Sequence, residues 1–256
     1  MYFPYVNYFQ EEIFMKKFGV IFAILAVAAL AWAPTADAQA KAKKVKGLPT
    51  FGMETGSKSA GGKTIRVPYT SLVNYYGYAK PGAAPDAVDN GRNMWYIYIW
   101  IPAVAPELGV RMISPAPKGA APSAGDFVSP LWEEGKSDTA SYFDTWISLE
   151  RANGIASIAD VRNAASATWT RYDSNDDSSE MPKNPGGNAY NSLMRVVSEP
   201  SNPTKALVRG LYRIGFTTYK RGDVKGTFVA QIGAPVALPG VVIGSSIAEI
   251  QANAKD

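Results

Sequence analysis

The chain has 256 residues with 26 Lys and Arg against 22 Asp and Glu, a formal charge of +4, and neither histidine nor cysteine. Without histidine there is no Ser-His-Asp or Cys-His arrangement, no imidazole base and no His-bound zinc. Without cysteine there is no disulfide, thiolate nucleophile or iron–sulfur cluster, so any metal must be held by oxygen, as calcium or magnesium is.

The N-terminus reads as a targeting segment. Residues 18–33 (FGVIFAILAVAALAWA) are an apolar run preceded by Lys16 and Lys17 and followed by Pro34 and then Ala36-Asp37-Ala38. Basic, apolar and small-x-small regions in that order make a Sec-type signal peptide, with cleavage expected after Ala38. The run is short for a membrane span of about 20 residues. Glu11 and Glu12 put acid where the leader needs base, so translation is expected to start at Met15. Residues 39–64 follow as a flexible basic tail carrying Lys41, Lys43, Lys44 and Lys46, able to meet anionic lipid or surface polysaccharide. A net charge this small does not suggest a nucleic-acid binder.

From residue 65 to residue 256 the pattern predicts a single domain dominated by strands. Residues 72–78 (LVNYYGY) and 95–101 (WYIYIWI) are β-branched and aromatic, and the second is apolar on both faces, which predicts a central strand. Further strands are predicted over 108–113, 142–150, 207–219 and 227–232, with an irregularity at Gly210 or Gly215. Two helices are predicted, over 157–165 from Ser157 and Asp160, and over 246–254 from a full capping box of Ser246 and Glu249. Many short strands separated by Pro- and Gly-bearing connectors predict an all-β, antiparallel sandwich with a few short peripheral helices. The aromatic residues Tyr75, Tyr76, Tyr78, Trp95, Tyr96, Tyr98 and Trp100 fall on strands, so core packing is expected of them before sugar stacking. Arg209 and Arg213 are expected to form a solvent-facing or ion-paired row.

Residues 171–181 (RYDSNDDSSEM) concentrate Asp173, Asp176, Asp177 and Glu180 in a chain that is otherwise net positive. Like charges this close repel unless solvent or a cation relieves them. Asp173, Asn175 and Asp177 stand at positions 1, 3 and 5 of an EF-hand loop, but Ser178 replaces the turn glycine and Asn184 the closing glutamate, so this is no EF-hand. What is left is a solvated acidic loop, or an oxygen-rich loop that needs other segments to complete a calcium shell.

Four long segments carry a resemblance: residues 74–81 (NYYGYAKP), 100–115 (WIPAVAPELGVRMISP), 143–151 (FDTWISLER) and 207–233 (LVRGLYRIGFTTYKRGDVKGTFVAQIG), together with 190–193 (YNSL). They resemble the major surface lipoprotein family of Leptospira, also called the haemolysis-associated protein family. The resemblance implies a jelly-roll-like β-sandwich and a calcium site. The residues matching the family's ligands are Asp144 and Thr145, Asp176 and Asp177, and Tyr190, with Asp173 the alternative in the EF-like register. Asp144 and Thr145 are neighbours on a strand, so their side chains should point to opposite faces, and Tyr190 is expected to offer its carbonyl. The family's founding members are lipidated on an N-terminal cysteine; a chain without cysteine is expected at the periplasm, the outer-membrane surface or outside the cell without that anchor.

The function expected from these readings is an exported, calcium-binding, non-catalytic envelope protein engaged in adhesion, with extracellular-matrix-type proteins as partners. Two alternatives stand beside it. One is a carbohydrate-binding module or a two-carboxylate glycosidase drawing on Glu107, Glu133, Glu134 or Glu150. The other is a structural envelope protein that calcium merely stabilises.

Overall fold

The computed structural model describes residues 58–60, 63–65, 69–199, 201, 202 and 204–255. The expected leader and most of the basic tail lie outside the described residues.

In chain order the strands are β1 (Lys58–Ala60), β2 (Lys63–Ile65), β3 (Thr70–Ala79), β4 (Ala87–Asp89), β5 (Arg92–Val104), β6 (Glu107–Ile113) and β7 (Phe127–Val128), then helix α1 (Trp132–Gly135). There follow β8 (Thr145–Ala152), helix α2 (Ile158–Val161), a 3-10 turn (Ala164–Ser166), β9 (Trp169–Asn175), β10 (Ser192–Val197), β11 (Val208–Thr218), β12 (Gly226–Ala234), β13 (Val242–Gly244) and helix α3 (Ile247–Asn253). The pair β1–β2 falls inside the stretch whose composition suggests a tail.

Two sheets form the body. One has the order β10-β6-β12-β3-β7; the other has β13-β5-β11-β8-β9, with β4 added beside β5. The expectation of a wholly antiparallel fold is corrected at one edge, where β7 runs parallel to β3 and makes the first sheet mixed. The second sheet is antiparallel throughout and curls as a half-barrel. Strand β7 has two residues, too short for the sequence to signal its direction.

Side-chain alternation explains how the sheets face each other. Ile97, Ile99 and Ile101 of β5, Ile147 and Leu149 of β8 and Ile214 and Phe216 of β11 enter one core with Val110 and Met112 of β6 and Phe228 and Ile232 of β12. The opposite face of β5 is also buried, because Trp100 and Leu211 are covered by Val161 of α2 and Ile250 of α3. That double burial is why β5 reads as apolar on both faces, and it lies between β13 and β11 as expected. The predicted irregularity in β11 falls at Gly210, where the register against β5 shifts. Gly77 of β3 stands opposite Phe228, whose ring lies over it. The missing side chain makes room for that ring.

Both helices start where the sequence places them, but neither follows it fully. At α2, Ser157 Oγ accepts from the Asp160 amide (3.3 Å) and the Asp160 carboxylate accepts from the Ser157 amide (3.0 Å). The α-helix ends at Val161 and the chain passes into the 3-10 turn. At α3 only half of the expected box forms. Ser246 Oγ accepts from the Glu249 amide (3.2 Å), while the Glu249 carboxylate turns to the amide (2.7 Å) and hydroxyl (3.0 Å) of Ser245. Two donors one residue upstream outcompete the box geometry.

Candidate metal centre

The acidic segment is not wholly a loop. Its first half is β9, paired to β8, and only the chain after Asn175 leaves the sheet. Edge position hid β9 from the sequence, since its residues are half-buried or exposed and lack an apolar face. Asp173 sits on β9 opposite Leu149, exposed, with its carboxylate accepting from the Ser174 amide (2.9 Å). Asn175 turns its side-chain oxygen to the Leu193 amide (3.3 Å). Two of the EF-like trio, Asp173 and Asn175, therefore lie on a strand, and Asp177 lies beyond its end.

Asp176 and Asp177 follow the last residue of β9, and Asp144 precedes the first residue of β8, so antiparallel pairing carries the three to the same corner. The corner is closed by a hydrogen-bond knot. Thr145 is fully buried, and its hydroxyl meets Ser192 Oγ (2.7 Å), the Ser192 amide (2.8 Å) and the Tyr190 carbonyl (3.2 Å). The Tyr190 carbonyl also accepts from the Thr145 amide (3.0 Å). Ser192 Oγ reaches the carbonyls of Thr145 (2.7 Å) and Asp176 (3.1 Å). Ser192 thus ties β8, β9 and β10 together. Sequence reasoning passed over it as a site residue, although it belongs to the YNSL segment.

Thr145 and the Tyr190 carbonyl are thus held together at the corner, with the Asp144, Asp176 and Asp177 carboxylates beside them. One carboxylate oxygen of Asp144, Oδ1, is buried and has no hydrogen-bond partner. Burial, then the charges of Asp177 and Asp176, push the Asp144 carboxyl up to about 6. Asp177 is also raised, first by burial and then by Asp176. An orphaned carboxylate oxygen facing two further anions is costly, and a cation is the direct remedy. Among the described residues no three acidic side chains converge into a ready-made metal cage. The donors are hard oxygens, which suit calcium, and they leave part of a six- to eight-oxygen shell to water or ligand.

The four glutamates considered as glycosidase acids are dispersed. Glu150 is buried and held by Arg171 (2.9 Å) and Arg213 (2.7 Å), Glu107 accepts from Tyr69, Glu134 pairs with Lys80 (2.5 Å) and Glu133 pairs with Lys136. Arg213 also packs at 4.2 Å from the rings of both Tyr96 and Trp169, so the ion-paired reading of that residue holds. Of the strand aromatics, Tyr75, Tyr76, Tyr78, Tyr96 and Trp100 are buried, as core packing requires.

The fold and this corner define a two-sheet β protein with three aspartates near the junction of its sheets. Residues 63–243 match the family model Lipl32, described as surface lipoprotein of the Spirochaetales order, and the chain belongs to that family. The family is generally not catalytic. Comparison with curated proteins finds no match.

Proposed function

We propose that the protein is a calcium-binding, non-catalytic component of the spirochaete cell surface that serves adhesion to extracellular-matrix-type proteins. The calcium would be held by the carboxylates of Asp144, Asp176 and Asp177, with Thr145 and Tyr190 fixing the corner. The single observation that supports this reading is the buried, partnerless Oδ1 of Asp144 beside two other carboxylates. Calcium there supplies charge neutralisation and joins the start of β8 to the chain after β9. The test is a terbium-luminescence titration with calcium competition, paired with melting curves in EDTA and in excess calcium. A ligand bound only by the native state raises the melting temperature as RT ln(1 + [L]/Kd). Melting curves that coincide in EDTA and calcium, with no terbium signal, refute the site. A calcium shift without any calcium effect on binding to collagen, laminin or fibronectin refutes the link to adhesion.

A further inference from the structure

A second site lies apart from the carboxylates, between the chain leaving β6 and the chain leading into β10. These strands are neighbours, with Ser192 opposite Met112, and beyond the pairing their loops diverge to leave a groove of about 400 Å³. Four prolines line it: Pro115 and Pro117 on one wall, Pro182 and Pro185 on the other. The walls are held at a set spacing by Asn191, which is buried on the floor. Its side-chain oxygen accepts from the Ser114 amide (2.9 Å), and its Nδ2 donates to the Pro182 carbonyl (2.7 Å). The Ala116 amide donates to Thr227 Oγ1 (3.0 Å), which anchors the first wall on β12. Proline rings carry little rotamer entropy to lose, so the groove is formed before anything docks.

Charge selects an occupant. Lys118 and Lys183 stand exposed on opposite walls, and neither forms an ion pair among the described residues. Asn184, only 5% exposed, lines the groove with a partnerless Nδ2. Its Oδ1 accepts from the Asn188 amide (3.0 Å), which fixes the side-chain amide and holds the second wall in shape.

We propose that this groove is a docking site for an extended acidic peptide segment of a partner protein. An apolar side chain of the segment packs between the proline walls, and flanking carboxylates meet Lys118 and Lys183. A polysaccharide fits worse, because its hydroxyls would lie against proline rings that offer them no partner. The inference goes beyond the calcium reading and does not depend on it.

The test is fluorescence anisotropy of the full chain with a fluorescein-labelled heptapeptide of aspartates around one central phenylalanine, measured in EDTA and in calcium. Saturable binding is expected in both. Lys118→Glu with Lys183→Glu should weaken it by about tenfold or more. Thr139→Tyr, an exposed position on the groove, should abolish it while keeping both lysines. Asp144→Asn should leave it unchanged. Failure of the peptide to saturate at about 1 mM, a limit set by weak-affinity arithmetic, overturns the proposal. So does full binding to Thr139→Tyr, which would reduce the effect to diffuse charge. So does loss of binding in Asp144→Asn, which would move the peptide to the carboxylate corner. A heparin oligosaccharide that binds equally well and is lost in the same variants would assign the groove to polysaccharide.

Discussion

Replacing Asp144 by asparagine keeps the side-chain shape and removes one charge from the corner, so it separates repulsion from packing. The distance from the ordinary value of 3.8 to about 6 corresponds to at most about 3 kcal/mol of differential interaction. The side chain is only half-buried, and solvent screening brings the usable part to about 1 kcal/mol. The sign follows from proton binding. Between pH 3.8 and about 6 the native state retains a proton on Asp144 that the unfolded chain has released. Stability of the metal-free protein therefore falls as pH rises through that window. At pH 7.5 in EDTA the Asp144→Asn variant should be more stable by about 1 kcal/mol, a rise of about 3 °C in melting temperature for a domain of this size. In calcium at 100 times its Kd the order should invert, because the wild type gains about 2.7 kcal/mol and the variant, lacking one carboxylate, gains little. Differential scanning calorimetry at pH 4 and 7.5, with EDTA and with calcium, measures all four states. A variant less stable than wild type in EDTA at pH 7.5, or with the same pH slope, refutes the repulsion argument.

Other outcomes are expected elsewhere in the fold. Gly77→Ala should destabilise by about 2 kcal/mol in urea unfolding, since its methyl group would collide with the fully buried ring of Phe228. Glu150→Gln should cost about 2 kcal/mol by the same assay, because Arg171 and Arg213 lose their shared anion; their partial exposure keeps this below the cost of a fully buried pair. Ser157→Ala should cost about 1 kcal/mol through loss of the α2 cap, with calcium affinity by terbium competition unaffected. Ser192→Ala should weaken terbium binding as well as stability, because it frees the Asp176 carbonyl from β8 and β10.

Much of this was legible in one dimension. Absence of histidine and cysteine restricted any metal chemistry to oxygen donors, and the double-sided apolarity of residues 95–101 placed β5 inside its sheet. The S-x-x-D and S-x-x-E patterns located the starts of α2 and α3, because a cap is a contact between residues three apart and needs nothing distant. The short words around Asp144, the aspartate pair and Tyr190 marked the family, and with it the corner.

Other features needed contacts between distant residues. The direction of β7 depends on Tyr75 and Phe127, far apart in sequence, and a two-residue strand has no periodicity to announce it. Strand β9 looked like a loop because an edge strand needs no apolar face. That Thr145 and Tyr190 are tied together at this corner could not be read from sequence, because Ser192 reaches Thr145 across the junction of β8 and β10. The proline groove has no motif at all; it exists because Asn191 bridges Ser114 and Pro182. Sequence by itself determined composition, caps and the faces of strands, all local quantities. Tertiary structure alone decided which aspartates lie close enough to repel and which oxygen is left without a partner, since burial and repulsion are properties of neighbours brought together by folding.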